Sequence, residues 1–319
     1  MISFKRHAAA IFLPIAAIIL IIFWGIPTPS GHSATTQVSA ESAFLSDFDK
    51  QTLRIGLFYE EEIPTARILA LNGEWRVTFQ HAPPASQTGP LLSQETSGVI
   101  PEGEHLAVQF TPKGILGKLS TGEEFEAGYL RLEISGGEYL DVETSGSNKT
   151  HRVYADKLEV TMQAKSLRLV NILSVRSYLL SVVSKTMASS EPEALKAQIA
   201  VSRSVAVWAR QTRRHALESI DLCDSDHCME FLGSGEERSL VGLLIDKTAN
   251  EVLTSHGTPI RPFFHHTCGG RTSSAKDIFG ITDTNHLAQE DKIPGKDLEN
   301  CYHSPAFHWT REFPKEEMI

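Results

Sequence analysis

Ser190-Glu191-Pro192-Glu193-Ala194-Leu195-Lys196-Ala197-Gln198, continuing through Val201, Ser202, Arg203, Ser204, Val205 and Trp208, carries the clearest helix signal in the chain. Ser190 at N-cap, Pro192 in the first turn and Glu193 three residues after the serine read as a capping box. That box satisfies N–H groups that a first turn leaves unpaired. Ala194, Ala197, Val201, Val205 and Trp208 fall at three- and four-residue steps and make one apolar stripe. Lys196, Arg203 and Arg210 return every seven residues on another face. Such a row reads as a solvated face or as the wall of a cleft for an anionic glycan.

Upstream of this helix the pattern changes to short alternating runs: Leu53–Tyr59, Glu74–Phe79 and Tyr129–Ile134. Shorter runs at Val153-Tyr154, Leu158–Val160 and Leu167–Ile172 continue it, with breaks at Gly136-Gly137 and Gly146. This is a strand-and-turn signature. The expected class is α+β: a β-rich region over 53–150, then a mixed part over 151–319 with one long amphipathic helix beside the site. Residues 35–52 are rich in Ser, Thr and Ala in their first part and read as a tether. No internal repeat of fixed period occurs.

The first 34 residues have a different character. Lys5 and Arg6 precede Ala8–Ile26, a run without a charge. As a helix it would rise about 28 Å, enough to span a bilayer. Pro14 is tolerable within a membrane helix, and His32-Ser33-Ala34 resembles a small-residue cleavage site. Residues 1–34 are therefore expected to be a signal peptide or a membrane anchor, with the body exported to the cell envelope.

The 319 residues are enough for one elaborate domain or two. At 41% apolar and 22% charged, the chain fits a globular body and argues against a disordered or fibrous one. Thirty Lys plus Arg against 39 Asp plus Glu leave a net charge of −9. That balance offers no general basic footprint for phosphate, so nucleic acid is not an expected partner.

Four cysteines suit one metal site or two bridges. Asp221-Leu222-Cys223-Asp224-Ser225-Asp226-His227-Cys228 places two thiols and an imidazole within six residues, a soft ligand set that zinc accepts. Cys223, His227 and Cys228 are candidate ligands, with His215 or Cys268 as a fourth. Disulfides Cys223–Cys228 and Cys268–Cys301, or buried thiols, are the alternatives. A second stretch, Phe264-His265-His266-Thr267-Cys268-Gly269-Gly270-Arg271-Thr272, joins two histidines to a Gly-Gly that permits close backbone approach to a ligand. It reads as a turn or as part of a site.

Together these segments resemble the SpoIID/LytB family, the stage II sporulation protein D-like peptidoglycan lytic transglycosylases and amidase enhancers. The resemblance runs from about Leu53 to Phe313 in five ordered blocks. They are Tyr178-Leu179 with Val182-Val183, and Glu193–Gln198 with Ser202-Arg203-Ser204. Cys223-Asp224 with His227-Cys228 is the third, and Phe264-His265 with Gly269-Gly270 and Thr272 the fourth. Cys301 with Ser304-Pro305 and Trp309 closes the series. The resemblance implies glycan strands as the substrate class, with Arg203, Ser204, His265, His266, Gly269, Gly270 and Thr272 in the cleft. It further implies a cell-wall amidase as a candidate partner, no cofactor required for catalysis and at most a structural zinc.

One departure bears on the chemistry. In the family a segment of the form Val-Val-x-x-Glu-Met supplies the acid, whereas Val182-Val183-Ser184-Lys185-Thr186-Met187 puts Thr186 there. Met229 stands where the family often has Gln, and His266 where Ser is common. A lytic transglycosylase protonates the leaving oxygen of the MurNAc–GlcNAc bond with one carboxylic acid. The sugar's own C6 hydroxyl then attacks to give a 1,6-anhydro end. This needs one acid of raised pKa, not a carboxylate pair. Glu191, in a loop one residue shorter than the family's, is the candidate stand-in; the alternative is a first-turn Glu that favours the helix dipole. The expectation is thus a transglycosylase-like protein with uncertain cleavage; the alternative is a non-catalytic glycan-binding protein or amidase enhancer.

Overall fold

The computed structural model describes residues 47–81, 95–145, 149–187, 191–235, 238–265, 267–281, 289–293 and 299–310. The leader, most of the tether and His266 lie outside these residues. Among the described residues no helix is long and apolar enough to cross a membrane.

Twelve strands form one sheet. They are β1 (Thr52–Leu57), β2 (Thr65–Asn72), β3 (Trp75–His81), β4 (Glu95–Ile100), β5 (His105–Thr111) and β6 (Gly114–Leu119), then β7 (Glu124–Ser135), β8 (Tyr139–Ser145), β9 (Lys149–Ala155), β10 (Lys157–Gln163), β11 (Ser166–Ser174) and β12 (Leu222–Cys223). Their order is β12-β1-β11-β10-β7-β6-β5-β2-β8-β9, with β3 paired to β4 and β7. The fold is α+β. The sheet passes without interruption across position 150, where the sequence suggested a boundary. Residues 47–52 also belong to the fold: Phe48 is fully buried and Phe48–Lys50 forms a short 3₁₀ turn.

Alternation explains β1. Leu53, Ile55 and Leu57 are buried, while Arg54 turns to the other face and donates to the Glu159 carboxylate at 2.6 Å. β1 pairs antiparallel with β11 and parallel with β12, setting Gly56 opposite Cys223. A Cβ on Gly56 would come within 2.6 Å of the Ile220 side chain, so the missing side chain admits the approach to β12.

β11 runs directly into helix α1 (Val175–Thr186), where the Ser174 hydroxyl accepts from Ser177 N at 2.9 Å. Val175, Tyr178, Leu179, Val182 and Val183 are buried on one face, the spacing of an amphipathic helix. Helix α2 (Pro192–Gln211) packs on α1, and both touch α3 (Ser239–Lys247).

The start of α2 differs from the capping-box expectation. Glu191 is the N-cap and makes no side-chain cap hydrogen bond. A residue before proline is pushed out of the helical region, and Glu191 sits at ψ 115° with Pro192 as the first helical residue. Glu193 pairs with Lys196 at 2.7 Å instead of closing back on the cap. Nor is α2 a one-sided helix. Leu195, Ile199, Ser202, Ala206 and Ala209 are buried, while the expected stripe members Ala194, Ala197 and Trp208 are only half-buried.

The basic row of α2 is not a cleft wall. Arg203 is fully buried and grips Asp49 through two 2.8 Å bonds, with a third to Glu251 O at 3.1 Å. Arg210 donates to Gln51 Oε1 at 3.0 Å. Arg203 and Arg210 clamp the helix to the segment that leads into β1, while Lys196 stays paired with Glu193 on the helix itself. Beyond α3, regular structure thins to a two-strand hairpin, a short helix α4 (Ala275–Phe279) and a 3₁₀ turn at Asn300–His303.

Candidate functional site

A cavity of about 530 Å³ opens where the C-terminal end of α1 meets α2. Thr186, Gln198 and Val205 line it from the helices, and Asp226, Cys228, Met229 and Glu230 from the loop after β12. Arg261–His265 and Phe279 complete the wall. The Thr186 hydroxyl donates to Val182 O at 2.6 Å. Gln198 is buried; its Nε2 approaches Ser202 Oγ at 3.4 Å, and its Oε1 has no partner among the described residues.

The rim is aromatic. Phe264 and Phe279 are exposed, and Phe279 stacks on Phe263 with centroids 4.6 Å apart. The Arg261 guanidinium lies 4.8 Å from the Trp208 ring centroid and 5.1 Å from that of Phe263. Arg214 approaches the same indole at 5.2 Å. Burial, followed by the nearby Arg214 charge, lowers the pKa of Arg261.

Next to the cavity, His215, Cys223, His227 and Cys228 bring four ligand atoms within 4.8 Å of one another. His215 Nε2 lies 3.2 Å from Cys228 Sγ, and His227 Nδ1 lies 3.5 Å from Cys223 Sγ. The other nitrogen of His215 meets Glu218 at 3.0 Å, and Glu218 also accepts from Tyr59 Oη at 2.9 Å. Arg168 pairs with the same carboxylate at 2.9 Å. A carboxylate behind the far nitrogen of a histidine fixes its ring, as behind metal-bound histidines. Burial alone would raise Glu218, but hydrogen bonds from His215, Tyr59 and Arg168 outweigh it and hold the carboxylate down. Tyr59 is pushed up to about 12, by burial first and by Glu218 second. Hydrogen bonding from Cys228, helped by Ser225 and His227, holds the Cys223 thiol well below its usual range, while the bond to Cys223 and burial push Cys228 up.

Asp224 holds this loop in place. Its buried carboxylate accepts from Phe58 N at 2.7 Å and Tyr59 N at 3.1 Å and pairs with Arg152 at 2.8 Å. Phe58 occupies the left-handed region at φ 50°, a cost that these bonds offset. The turn sets Tyr59 parallel to the His227 ring, with centroids 6.2 Å apart.

The sequence-predicted residues therefore separate. Thr186 and His265 share the cavity, while Cys223, His227 and Cys228 share the adjoining cluster with His215 as fourth member. Cys268, the other candidate fourth ligand, sits elsewhere with Asp291 and Cys301. Arg203 and Ser204 are fully buried; Ser204 Oγ donates to Ala200 O at 2.6 Å and accepts from Leu253 N at 2.8 Å. Both serve the packing of α2 and do not reach the cavity wall. Glu191 is exposed at the N-cap and does not line the cavity.

Gly269, Gly270 and Thr272 form a separate loop. Gly270 has φ +96° and its carbonyl accepts from Asp291 N, and Thr272 exchanges hydrogen bonds with Gln289. Sequence reasoning missed Gln198 as a cavity residue, and with it Asp226, Glu230 and Arg261. Gln198 and Asp226 lie inside the stretches Glu193–Gln198 and Asp221–Cys228, but their meeting with Glu230 and Arg261 on one wall arises only through the fold.

Residues 163–255 match the family model described as Stage II sporulation protein, SpoIID. The chain thus carries a SpoIID domain, of a cell-wall and sporulation-related family, running from the end of β10 to just past α3. An uncharacterized protein of Brachyspira hyodysenteriae is 29% identical over 113 residues, 35% of this chain and 30% of that relative. The chain spans less than a third of the relative it matches.

Proposed function

We propose that this chain binds peptidoglycan glycan strands in the cavity at Thr186, on a scaffold of lytic transglycosylase type that has lost its main acid. The observation that carries this is the placement of Thr186. It borders the cavity, and its hydroxyl is engaged with the Val182 carbonyl. A hydroxyl does not titrate near neutrality, so it cannot protonate a glycosidic oxygen as a carboxylic acid does. Exposed Phe264 and Phe279 suit the apolar faces of sugar rings. In this reading the protein works in the cell envelope and organises strands or assists a wall amidase.

The test is incubation of purified glycan strands with the full chain, followed by measurement of 1,6-anhydro ends. The unmodified protein should bind strands yet release little product. Thr186→Glu should raise release by about 10²–10⁴-fold, the range that a general acid supplies. A second reading, retained cleavage, is favoured by Asp226 and Glu230 on the cavity wall. Strong cleavage by the unmodified protein, abolished in Glu230→Gln or Asp226→Asn, would establish that reading instead.

The donor set at His215, Cys223, His227 and Cys228 fits zinc. Two sulfurs and two nitrogens converge, and a Cys223–Cys228 disulfide would leave both imidazoles aimed at a bond that needs neither. With four protein ligands the ion would be structural, tying the loop after β12 to the segment after α2.

A further inference from the structure

A second group of metal-ligand atoms lies in the C-terminal part of the chain. Cys268 Sγ, a carboxylate oxygen of Asp291 and Cys301 Sγ all lie within 4.8 Å of one another. Cys268 is buried, while Asp291 and Cys301 are half-buried and can be reached from solvent. The Cys268 thiol donates to Asp291 Oδ2 at 2.9 Å. The carboxylate is fixed from its other sides. Asn300 Nδ2 donates to Oδ1 at 2.7 Å and Cys301 N to Oδ2 at 3.1 Å, and Asp291 N donates to Gly270 O at 2.9 Å. Such support orients a carboxylate in the way that metal-bound carboxylates are oriented.

Little else holds these loops. Beyond α3, Cys268 and Ala275 are the buried hydrophobic side chains among the described residues other than proline, and neither belongs to the main core. Where a core is missing, a disulfide or a metal ion takes its place as the fastening. A disulfide would use both sulfurs and leave Asp291 facing a bond that offers it no proton. A cation satisfies all three groups, and two sulfurs with one carboxylate oxygen suit the borderline-soft zinc ion.

We infer that Cys268, Asp291 and Cys301 form a second zinc site, separate from the cluster at His215, Cys223, His227 and Cys228. On binding, both thiols release their protons to water, so two thiolates and one carboxylate face the ion. Water or a bound group completes the tetrahedral shell. The ion fastens the Gly269-Gly270 loop to the segments around Asp291 and Cys301, which regular structure does not do.

The experiment uses the full-length protein, loaded with zinc and freed of excess metal. Elemental analysis should find about two zinc ions per chain, and Cys301→Ser or Asp291→Asn should lose about one of them. Asn300→Ala keeps all three ligands and should weaken zinc at this site about 10–100-fold. Cobalt(II) in Cys223→Ser protein should give a sulfur-to-metal charge-transfer band that disappears when Cys301→Ser is added. In the unmodified protein, Cys268 and Cys301 should resist alkylation until a chelator is supplied, with no reductant needed. Alkylation that requires a reductant would reveal a Cys268–Cys301 disulfide and overturn the second site. Alkylation that requires neither would reveal bare thiols and overturn it equally. Because this mapping reads the unmodified protein, it decides the matter even where a variant folds poorly.

Discussion

Arg203 shows how one residue can look like a ligand contact in sequence and serve as a rivet in the fold. Its spacing with Lys196 and Arg210 is that of a surface row, yet it is fully buried and its two-pronged bond goes to Asp49. Nothing near Arg203 in sequence announces Asp49, which precedes it by 154 positions. Removing the acid strands a buried charge, which is more damaging than never having built the pair. Asp49→Ala should cost about 3–5 kcal/mol of stability in chemical denaturation, the usual range for breaking a buried pair. A change below about 1 kcal/mol would show that water reaches the guanidinium after all. Thr186 is the opposite case. The family resemblance singled it out within Val182–Met187, and the fold places it on the wall of a cavity at the end of α1.

Among elements, the loop after β12 is the one whose chemistry the sequence exposed best and whose partner it left open. Three ligand candidates lie within six residues, but His215 joins them through the turn after α2, and its supporting Glu218 lies in a short 3₁₀ segment with no periodic signal. The purified chain should carry about one zinc at this cluster, measured by elemental analysis, and both Cys223→Ser and His215→Ala should abolish it. Glu218→Gln should weaken zinc affinity about 10–100-fold while leaving all four ligands in place. A Cys223–Cys228 bridge found by mass spectrometry in metal-free protein would refute the site. The strands were partly legible for a related reason. β1, β3, β10 and β11 show short runs of large apolar residues. The burial of β2 and β8 alternates at least as regularly, but they place Ala66, Ala70 and Thr144 among the buried positions, small or polar residues that weaken the apolar signal. α1 was recognisable from its matched residues more than from a cap, since Ser174 lies at the end of a strand that continues into the helix without a break.

On the scale of the molecule, the SpoIID match begins inside the sheet. Residues 163–255 contain β11, three helices and β12, yet β1 at Thr52–Leu57 lies between β11 and β12 and bonds to both. Phe48 and Asp49 add a core side chain and a buried ion pair from the same early segment. A polypeptide of residues 163–255 made alone should therefore show no cooperative thermal transition, whereas one spanning 47–310 should. A sharp transition in the short piece would show that β1 is dispensable. The same pairing sets a timetable. β1 leaves the ribosome early, but Thr52 pairs with Ser174 and Gly56 with Cys223, so its neighbours follow long afterwards. Until then an apolar strand has two open edges, the state in which chains join each other instead of themselves. The nascent protein therefore depends on being shielded during its synthesis, and the cluster at Cys223 is among the last parts of its architecture to close.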